Sequence, residues 1–283
     1  MSFIFKFKEG FLVLNESKIM GILNITPDSF YDGGRYIEID KAVERGIQMV
    51  KEGVDIIDIG GESTRPFSEP VSEEEELKRV IPVIEKLRKL TDVPISIDTR
   101  KSKVAEEALK RGANIVNDIS GLRDDPKIKE VVKKYNAGCI IMHIRGTPKD
   151  MQENPYYKDT IKEIREEIEE RVELALASGI EKERIVIDPG IGFGKRVVDN
   201  LLILKNLEEF KKIGFPLLIG HSRKSFIGKI LNLEKPEERL VGTLGITAYL
   251  YLKKVHIVRV HDVKETKEIF EILKAILNPD GHQ

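Results

Sequence analysis

Short runs of β-branched and aliphatic residues alternate along this chain with longer stretches whose apolar residues recur every three or four positions. That is the pattern of strands alternating with amphipathic helices. Eight strand-like runs are readable, at 19–26, 54–60, 94–98, 115–119, 138–143, 184–188, 216–220 and 255–260. Ahead of them, 3–7 and 11–14 flank Glu9-Gly10 and predict a hairpin. Between the runs lie helical stripes. Ser72 followed by Glu75 predicts a capping box, and the acidic run 73–76, a solvated helix start, suits a positive helix end. Leu77, Val80, Ile81, Ile84 and Leu87 continue that helix, with a kink or lost hydrogen bond expected at Pro82. Ile161, Ile164, Ile168 and Val172 form a second stripe, closed near Gly179. Leu204, Leu207 and Phe210 form a third, ending at Gly214, and Ile269, Ile272, Leu273 and Ile276 a last. Core packing is the expectation for each.

Eight β–α units of this length predict an α/β protein closed into a single (β/α)8 TIM barrel, because right-handed crossovers set each strand beside its predecessor. The hairpin, 1–17, is expected to plug the amino-terminal mouth of a barrel spanning 18–278, all in one domain over 1–283. An open doubly wound sheet is the alternative. It would bind its ligand mainly at one switch point, whereas here polar residues recur at strand after strand.

Length and charge narrow this further. At 283 residues the chain could hold two domains, but an α/β barrel of about 250 residues accounts for it alone. Lys+Arg 47 against Asp+Glu 48 leaves a net charge of −1, so neither nucleic acid nor an anionic membrane is a partner; any anion site must be local. Cys139 is the one cysteine and cannot form an intrachain disulfide. With no membrane-length apolar run and no signal-peptide pattern, a soluble cytoplasmic protein is expected. Abundant Glu, Lys, Arg and Ile without Trp is compatible with a heat-tolerant source.

In such a barrel the active site lies at the carboxyl ends of the strands. Reading those ends gives Asn24, the loop 60–66, Asp98, Asn117, His143, Asp188, the group 222–225, and Arg259 with His261. Any one Asp or Asn there could simply cap the next helix. The whole set is not explained so, because caps do not require strands to end in carboxylate, amide, guanidinium and imidazole by turns. Asp98, Asn117 and Asp188 offer acceptors for the edge of a planar heterocycle bearing adjacent N–H groups, and Arg259 could stack on such a ring or meet an anion. Ser222-Arg223-Lys224-Ser225, where a strand hands over to a helix, suits a carboxylate or phosphate. Asn24 and Asp32, the latter beside Gly33-Gly34, are hard oxygen donors of the kind Mg²⁺ takes when substrate phosphates and water supply the rest.

Other motifs fail on inspection. The stretch 189–196 resembles a nucleotide loop, but Pro189 takes the first glycine position and Arg196 follows the lysine, so it is not a Walker A; nor is it GxGxxG, since Lys195 stands in place of the last glycine. The histidines at 143, 221, 256, 261 and 282 lack zinc-site spacing. Gly220-His221-Ser222 lacks the closing glycine of a nucleophile elbow. His256 reads as a satisfied core residue and His282 as part of a frayed terminus.

With these residues in view, the chain resembles the dihydropteroate synthases from Met20 to Val263. The resemblance rests on MGILNITPDSFYDGG (20–34), DIGGESTRP (58–66), IDTRK (97–101), VNDISG (116–121), MHIRGTP (142–148), DPGIGFGK (188–195), SRKSFIG (222–228) and RVHDV (259–263). Singly several are short; in this order and spacing they are specific. The resemblance implies a β/α barrel that joins 6-hydroxymethyl-7,8-dihydropterin diphosphate to 4-aminobenzoate, releases pyrophosphate for folate synthesis, and is a sulfonamide target. It implies Asp98, Asn117, Asp188 and Lys224 on the pterin edge, and Met142 and Arg259 against the ring faces. Asn24, Arg259 and His261 would meet the diphosphate, with Mg²⁺ on Asn24 and Asp32. Phe30, Thr64, Arg65, Pro66, Phe193, Lys224 and Ser225 would form the aminobenzoate side. Catalysis would fall to Asp98, Lys224, Arg259, His261 and Asp32, with the loops around Asp32 and Arg65 closing over them. It implies small-molecule partners and a homodimer. Two positions depart from the family pattern. Arg100 stands where many relatives carry an aromatic, and His221 where they carry a small or apolar residue; both bear on how adjacent walls pack. The alternatives are a pterin-binding methyltransferase, which would need neither Thr64-Arg65-Pro66 nor Lys224-Ser225 so arranged, and a non-catalytic pterin-binding paralogue, expected to have lost Asn24, Asp32 or Arg65.

Overall fold

The computed structural model describes residues 3–25 and 35–282. Strands β1 (Phe3–Phe7) and β2 (Gly10–Leu14) pair as an antiparallel hairpin with Phe3 opposite Leu14, turning through Glu9 at φ 65°. Then β3 (Lys18–Asn24), β4 (Ile56–Gly60), β5 (Ile95–Asp98), β6 (Ile115–Asp118), β7 (Gly138–Met142), β8 (Ile185–Asp188), β9 (Leu218–Ile219) and β10 (Ile257–Val260) pair in parallel. Between them run α1 (Arg35–Lys51), α2 (Glu73–Arg88), α3 (Ser102–Lys110), α4 (Ile128–Tyr135), α5 (Thr160–Ala177), the pair α6 (Val197–Lys205) and α7 (Leu207–Lys211), and α8 (Ser225–Leu231) with α9 (Leu240–Leu252). The helix α10 (Val263–Leu277) follows β10. β10 lies between β3 and β9, and the ring closes where Ile187 bridges Leu217 and its N–H donates to the Pro216 carbonyl at 3.0 Å. The (β/α)8 barrel is therefore the fold, and the open sheet is excluded.

Strand alternation divides the core in two. The outward set, including Ile19, Ile57, Ile59, Ile97, Val116, Ile141, Ile187 and Val258, packs under the helices in one continuous cluster. The inward set at the amino-terminal end, Met20, Ile56, Ile115, Ile140, Val186, Leu218 and Ile257, forms a second cluster with Phe5, Phe7 and Leu14 of the hairpin. The hairpin thus plugs the lower mouth, as expected. A Cβ on Gly138 would lie 2.7 Å from the Phe5 ring, so the plug fits a site where one strand has no side chain.

Local signals hold with physical exceptions. Ser72 caps α2 by accepting from the Glu75 N–H at 3.2 Å, but the Glu75 carboxylate turns to Arg79 at 3.0 Å instead of closing the capping box. Pro82 lies inside α2, which continues to Arg88. The third stripe is broken at Asn206, giving two helices rather than one. The last stripe is displaced: α10 buries Val263, Thr266 and Phe270, while Ile272 and Ile276 are 62% and 67% exposed. His256 accepts from the Leu217 N–H at 2.9 Å, as a satisfied residue should, but it stands half-buried just ahead of β10 rather than in the core. No described helix is long and apolar enough to cross a membrane, and Cys139 is buried and free.

Candidate active site

Because inward residues recur every second position, the upper layer of the barrel collects the last inward residue of each strand. Here that layer is polar where the lower layer is aliphatic. Arg259 of β10 reaches across the barrel, donating from Nε to Asp58 Oδ2 at 2.6 Å and from Nη2 to Asp98 Oδ2 at 2.7 Å. Asn117 donates to the same Asp58 oxygen at 3.2 Å. Asp58 is fully buried, and its Oδ1 has no hydrogen-bond partner. Asp188, at the end of β8, accepts from the Gly190 N–H at 2.7 Å.

Glycines in this layer make room for those side chains. A Cβ on Gly60 would meet Asn24 Oδ1 at 3.5 Å and Asp98 Oδ2 at 3.8 Å; one on Gly220 would meet the Arg259 Cβ at 3.7 Å and Asp188 Oδ2 at 4.0 Å. Asn24, Asp98, Asp188 and Arg259 therefore surround one space. Lys224 enters it from the start of α8, donating to the Ile191 carbonyl and lying 4.4 Å from the centre of the Phe193 ring. Phe193 and Met142 belong to a small apolar cluster with Ile119, Ile144 and Met151.

Above this floor opens a cavity of about 590 Å³, lined by Asn24, Thr64, Arg65, Pro66, Phe193, Ser222, Lys224, Ser225, Arg259 and His261 among others. Expected residues from five segments thus line the cavity, with Asp98 and Asp188 on the adjoining floor, Asn117 bonded to Asp58 and Met142 packed beside Phe193. Phe30 and Asp32 lie outside the described residues.

The electrostatics follow from burial. Burial raises the Asp98 carboxyl above its ordinary value, opposed by the Arg259 guanidinium and reinforced by Asp58. Asp188 is likewise raised by burial against the opposing pull of Lys224. Lys224 is lowered by burial to about 7 despite Asp188. His261 is pushed down to about 3 by burial and the nearby Arg259, so its ring is neutral. Its Nδ1 pairs with Ser222 Oγ at 3.0 Å, and that hydroxyl also accepts from the His261 N–H at 3.2 Å.

Two features lie beyond the sequence reading, Asp58 and the role of the 190–194 glycines, and one strand-end candidate, His143, falls outside the cavity. Asp58 was passed over because it sits two residues before its strand ends; the signal was a carboxylate at an inward position of an otherwise aliphatic strand. His143, though at a strand end, is outside the cavity: its Nε2 lies 3.0 Å from Glu167 and its Nδ1 3.0 Å from the buried Lys195. The glycines of 190–194 serve close backbone approach. A Cβ on Gly190 would stand 1.9 Å from the His143 carbonyl oxygen and one on Gly194 2.2 Å from that of Arg145, both at positive φ.

The donor set bears on metal as well. No group of three or more His, Cys, Asp or Glu among the described residues could hold an ion. Asn24 offers one neutral oxygen beside Arg259 and His261 on the cavity wall. That set fits an Mg²⁺ ion carried mainly by phosphate and water, and no all-protein cage.

Comparison with known proteins agrees with this geometry. A family model described as pterin binding enzyme matches residues 20–261. The dihydropteroate synthase of Bacillus subtilis is 47% identical over 264 residues, covering 93% of this chain and 90% of that protein. Among solved structures, Xanthomonas albilineans dihydropteroate synthase with 4-aminobenzoic acid superposes with a TM-score of 0.92 at 38% identity, covering 98% of this chain and 99% of the other. The same enzyme in complex with 7,8-dihydropteroate gives 0.86 at 37% identity, covering 95% and 96%. With its polar barrel floor, its one-sided cavity and these relatives, the chain belongs to the pterin-binding enzymes and, among them, to the dihydropteroate synthases, which are transferases.

Proposed function

We propose that the protein condenses 6-hydroxymethyl-7,8-dihydropterin diphosphate with 4-aminobenzoate, giving 7,8-dihydropteroate and pyrophosphate. The observation that carries this reading is the Arg259 guanidinium bridging Asp58 and Asp98 on a floor shared with Asn117. A flat bicycle with adjacent N–H donors suits Asp98, Asn117, Asp188 and the unpartnered Asp58 Oδ1, with Lys224 on its carbonyl and Met142 and Arg259 against its faces. A pterin that takes over the bond to Asp98 releases the guanidinium toward the phosphates. Thr64, Arg65, Pro66, Phe193 and Ser225 then wall the aminobenzoate, its carboxylate facing Ser225 and Lys224; Phe30 and Asp32 belong to the same reading from the segment outside the described residues.

The bond between the pterin methylene carbon and the diphosphate oxygen breaks first, and pyrophosphate leaves with the electron pair. Asp98 stabilises the positive charge this leaves on the ring, while Arg259 and His261 hold the departing anion. The arylamine nitrogen bonds to the carbon and sheds its proton afterwards, so no strong general base is needed. Asn24, with Asp32, would hold Mg²⁺, which when bound supplies charge to neutralise the diphosphate. Formation of 7,8-dihydropteroate, with one pyrophosphate released for each 4-aminobenzoate consumed, tests the reading. No dihydropteroate from the two substrates, or methyl transfer in its place, would refute it.

The same reading includes a homodimer. α9 is almost wholly apolar, yet Val241, Tyr249 and Leu252 are 80%, 37% and 53% exposed. Ile272 and Ile276 of α10 and Ile230 and Leu231 of α8 extend apolar exposure to the flanking helices. A second copy is the occupant such a face suits. The buried free thiol of Cys139 is in keeping with a reducing, cytoplasmic setting.

A further inference from the structure

The loop between β4 and α2 presents Thr64, Arg65 and Pro66 to the cavity, and a single carboxylate closes its base. Glu62 stands where the loop leaves the barrel, and its Oε2 accepts from the N–H of Val71 at the loop's other end, at 3.0 Å. The same oxygen accepts from Lys101 Nζ at 2.6 Å, and Oε1 pairs with Arg100 Nη2. Lys101 runs on to the buried Glu76 of α2, and Arg100 Nη1 reaches Asp124 in the loop after β6 at 2.7 Å. Three loops of the catalytic face are thereby tied through one point.

Glu62, Arg100 and Lys101 have side chains only 7%, 16% and 20% exposed, so these pairs escape most solvent screening. Burial would raise the Glu62 carboxyl, but the bonds from Lys101 and Arg100 outweigh it and hold it below the ordinary value. The tip of the loop is tied more lightly. Phe67, at φ 65°, donates from its N–H to the Pro148 carbonyl at 2.9 Å, and the Lys149–Glu69 pair is well exposed. Within the loop, Ser68 donates from Oγ to the Ser63 carbonyl at 2.6 Å and from its N–H to that of Arg65 at 3.1 Å, so 64–66 move with the turn. A base held by buried charge against a tip joined to its neighbours by one backbone bond and one exposed ion pair makes the base the frame of reference for the cavity wall.

We propose that Arg100 is a positioning residue for the second substrate: through Glu62 it sets where Thr64, Arg65 and Pro66 stand against the aminobenzoate. Arg100 is not among the residues lining the cavity, and it occupies one of the two positions where the sequence departs from the family pattern. The inference rests on the reading of 64–66 as the aminobenzoate wall.

The test uses the full chain with Arg100→Ala, Arg100→Lys and Arg65→Ala. Arg100→Ala should raise the KM for 4-aminobenzoate about tenfold, with the KM for the pterin diphosphate and kcat within about twofold. Arg100→Lys should recover most of that loss. Hydrogen exchange at the Val71 amide, which reads the Glu62 bond directly, should quicken about tenfold in the alanine variant and stay near the parent rate in the lysine one. Arg65→Ala should raise the aminobenzoate KM while leaving that amide unchanged. An unmoved aminobenzoate KM in Arg100→Ala beside an effect of Arg65→Ala, or an equal rise in both KM values, would overturn the role of Arg100. If Arg65→Ala also left the constant unmoved, the wall reading would fall and the inference with it. Should Arg100→Ala not fold, Glu62→Gln keeps an acceptor for Val71 while discharging both ion pairs; the same split between the two KM values is expected, and its absence would overturn the proposal.

Discussion

Two carboxylates and one guanidinium set the chemistry of the barrel floor at the level of single residues. Asp98 is held close to Arg259, so its charge is balanced until a ligand takes its place. If its work is to stabilise charge that develops on the pterin, Asp98→Asn should cut turnover about 10²-fold while weakening pterin binding far less. Single-turnover rates set against calorimetric affinities check this, and equal losses in both would reject the role. Lys224 makes a second prediction. Burial lowers its ammonium to about 7, so the group is charged below that pH and neutral above it. kcat/KM for the pterin diphosphate should therefore fall as pH rises through about 7, and Lys224→Arg should move that limb upward because a guanidinium stays charged. A limb that stays put belongs to another group. Much of this site was legible because β3, β5, β6, β8 and β10 carry Asn24, Asp98, Asn117, Asp188 and Arg259 at or beside their carboxyl ends. Asp58 was not, since a reading of strand ends alone misses the inward position two residues earlier, and His143 shows the converse, a strand-end residue whose side chain engages Glu167 and Lys195 instead.

Among the elements, the strands were the most readable part of the chain, because each of the eight is a compact aliphatic run whose outward residues must meet helices and whose inward residues must meet one another. Helix faces were less so. In α10 Ile269 packs partly buried against the core beside Val263, Thr266 and Phe270, while Ile272 and Ile276 at the same helical spacing stay exposed, and periodicity alone cannot say to which side of Ile269 the buried face extends. The break at Asn206 is invisible for a similar reason: Leu204, Leu207 and Phe210 are all buried, so the apolar pattern runs on across a change of helix. The hairpin gives the clearest test at this scale. Phe5 is fully buried among inward residues at the mouth opposite the cavity. Phe5→Ala should cost about 3–5 kcal/mol of stability, as large-to-small core changes do. kcat/KM measured well below the melting temperature should remain that of the parent. A loss of activity in the folded variant would mean that the plug acts on the site through the barrel.

The whole molecule is asymmetric in two directions. Along the barrel axis, one mouth is closed by aromatic and aliphatic packing and the other carries almost all the buried charge, which separates the residues that hold the fold from those that bind. Around the axis, most helices turn charged faces outward, but α8, α9 and α10 expose Ile230, Val241, Leu252, Ile272 and Ile276. Such exposure is costly for a chain that stays alone, and a second copy laid on the same helices would remove it from water through a two-fold contact. Val241, 80% exposed in the first turn of α9, has the least to do with the core and so separates association from folding. Val241→Glu should leave the circular dichroism spectrum unchanged and convert a dimer to a monomer in sedimentation at micromolar concentration. Because Val241 is not among the residues lining the cavity, the monomer should keep its affinity for 4-aminobenzoate within about threefold, with whatever loss it shows appearing as a lower melting temperature. A parent protein that sediments as a monomer would remove the dimer from the reading, and a variant that still sediments as a dimer would move the interface off α9.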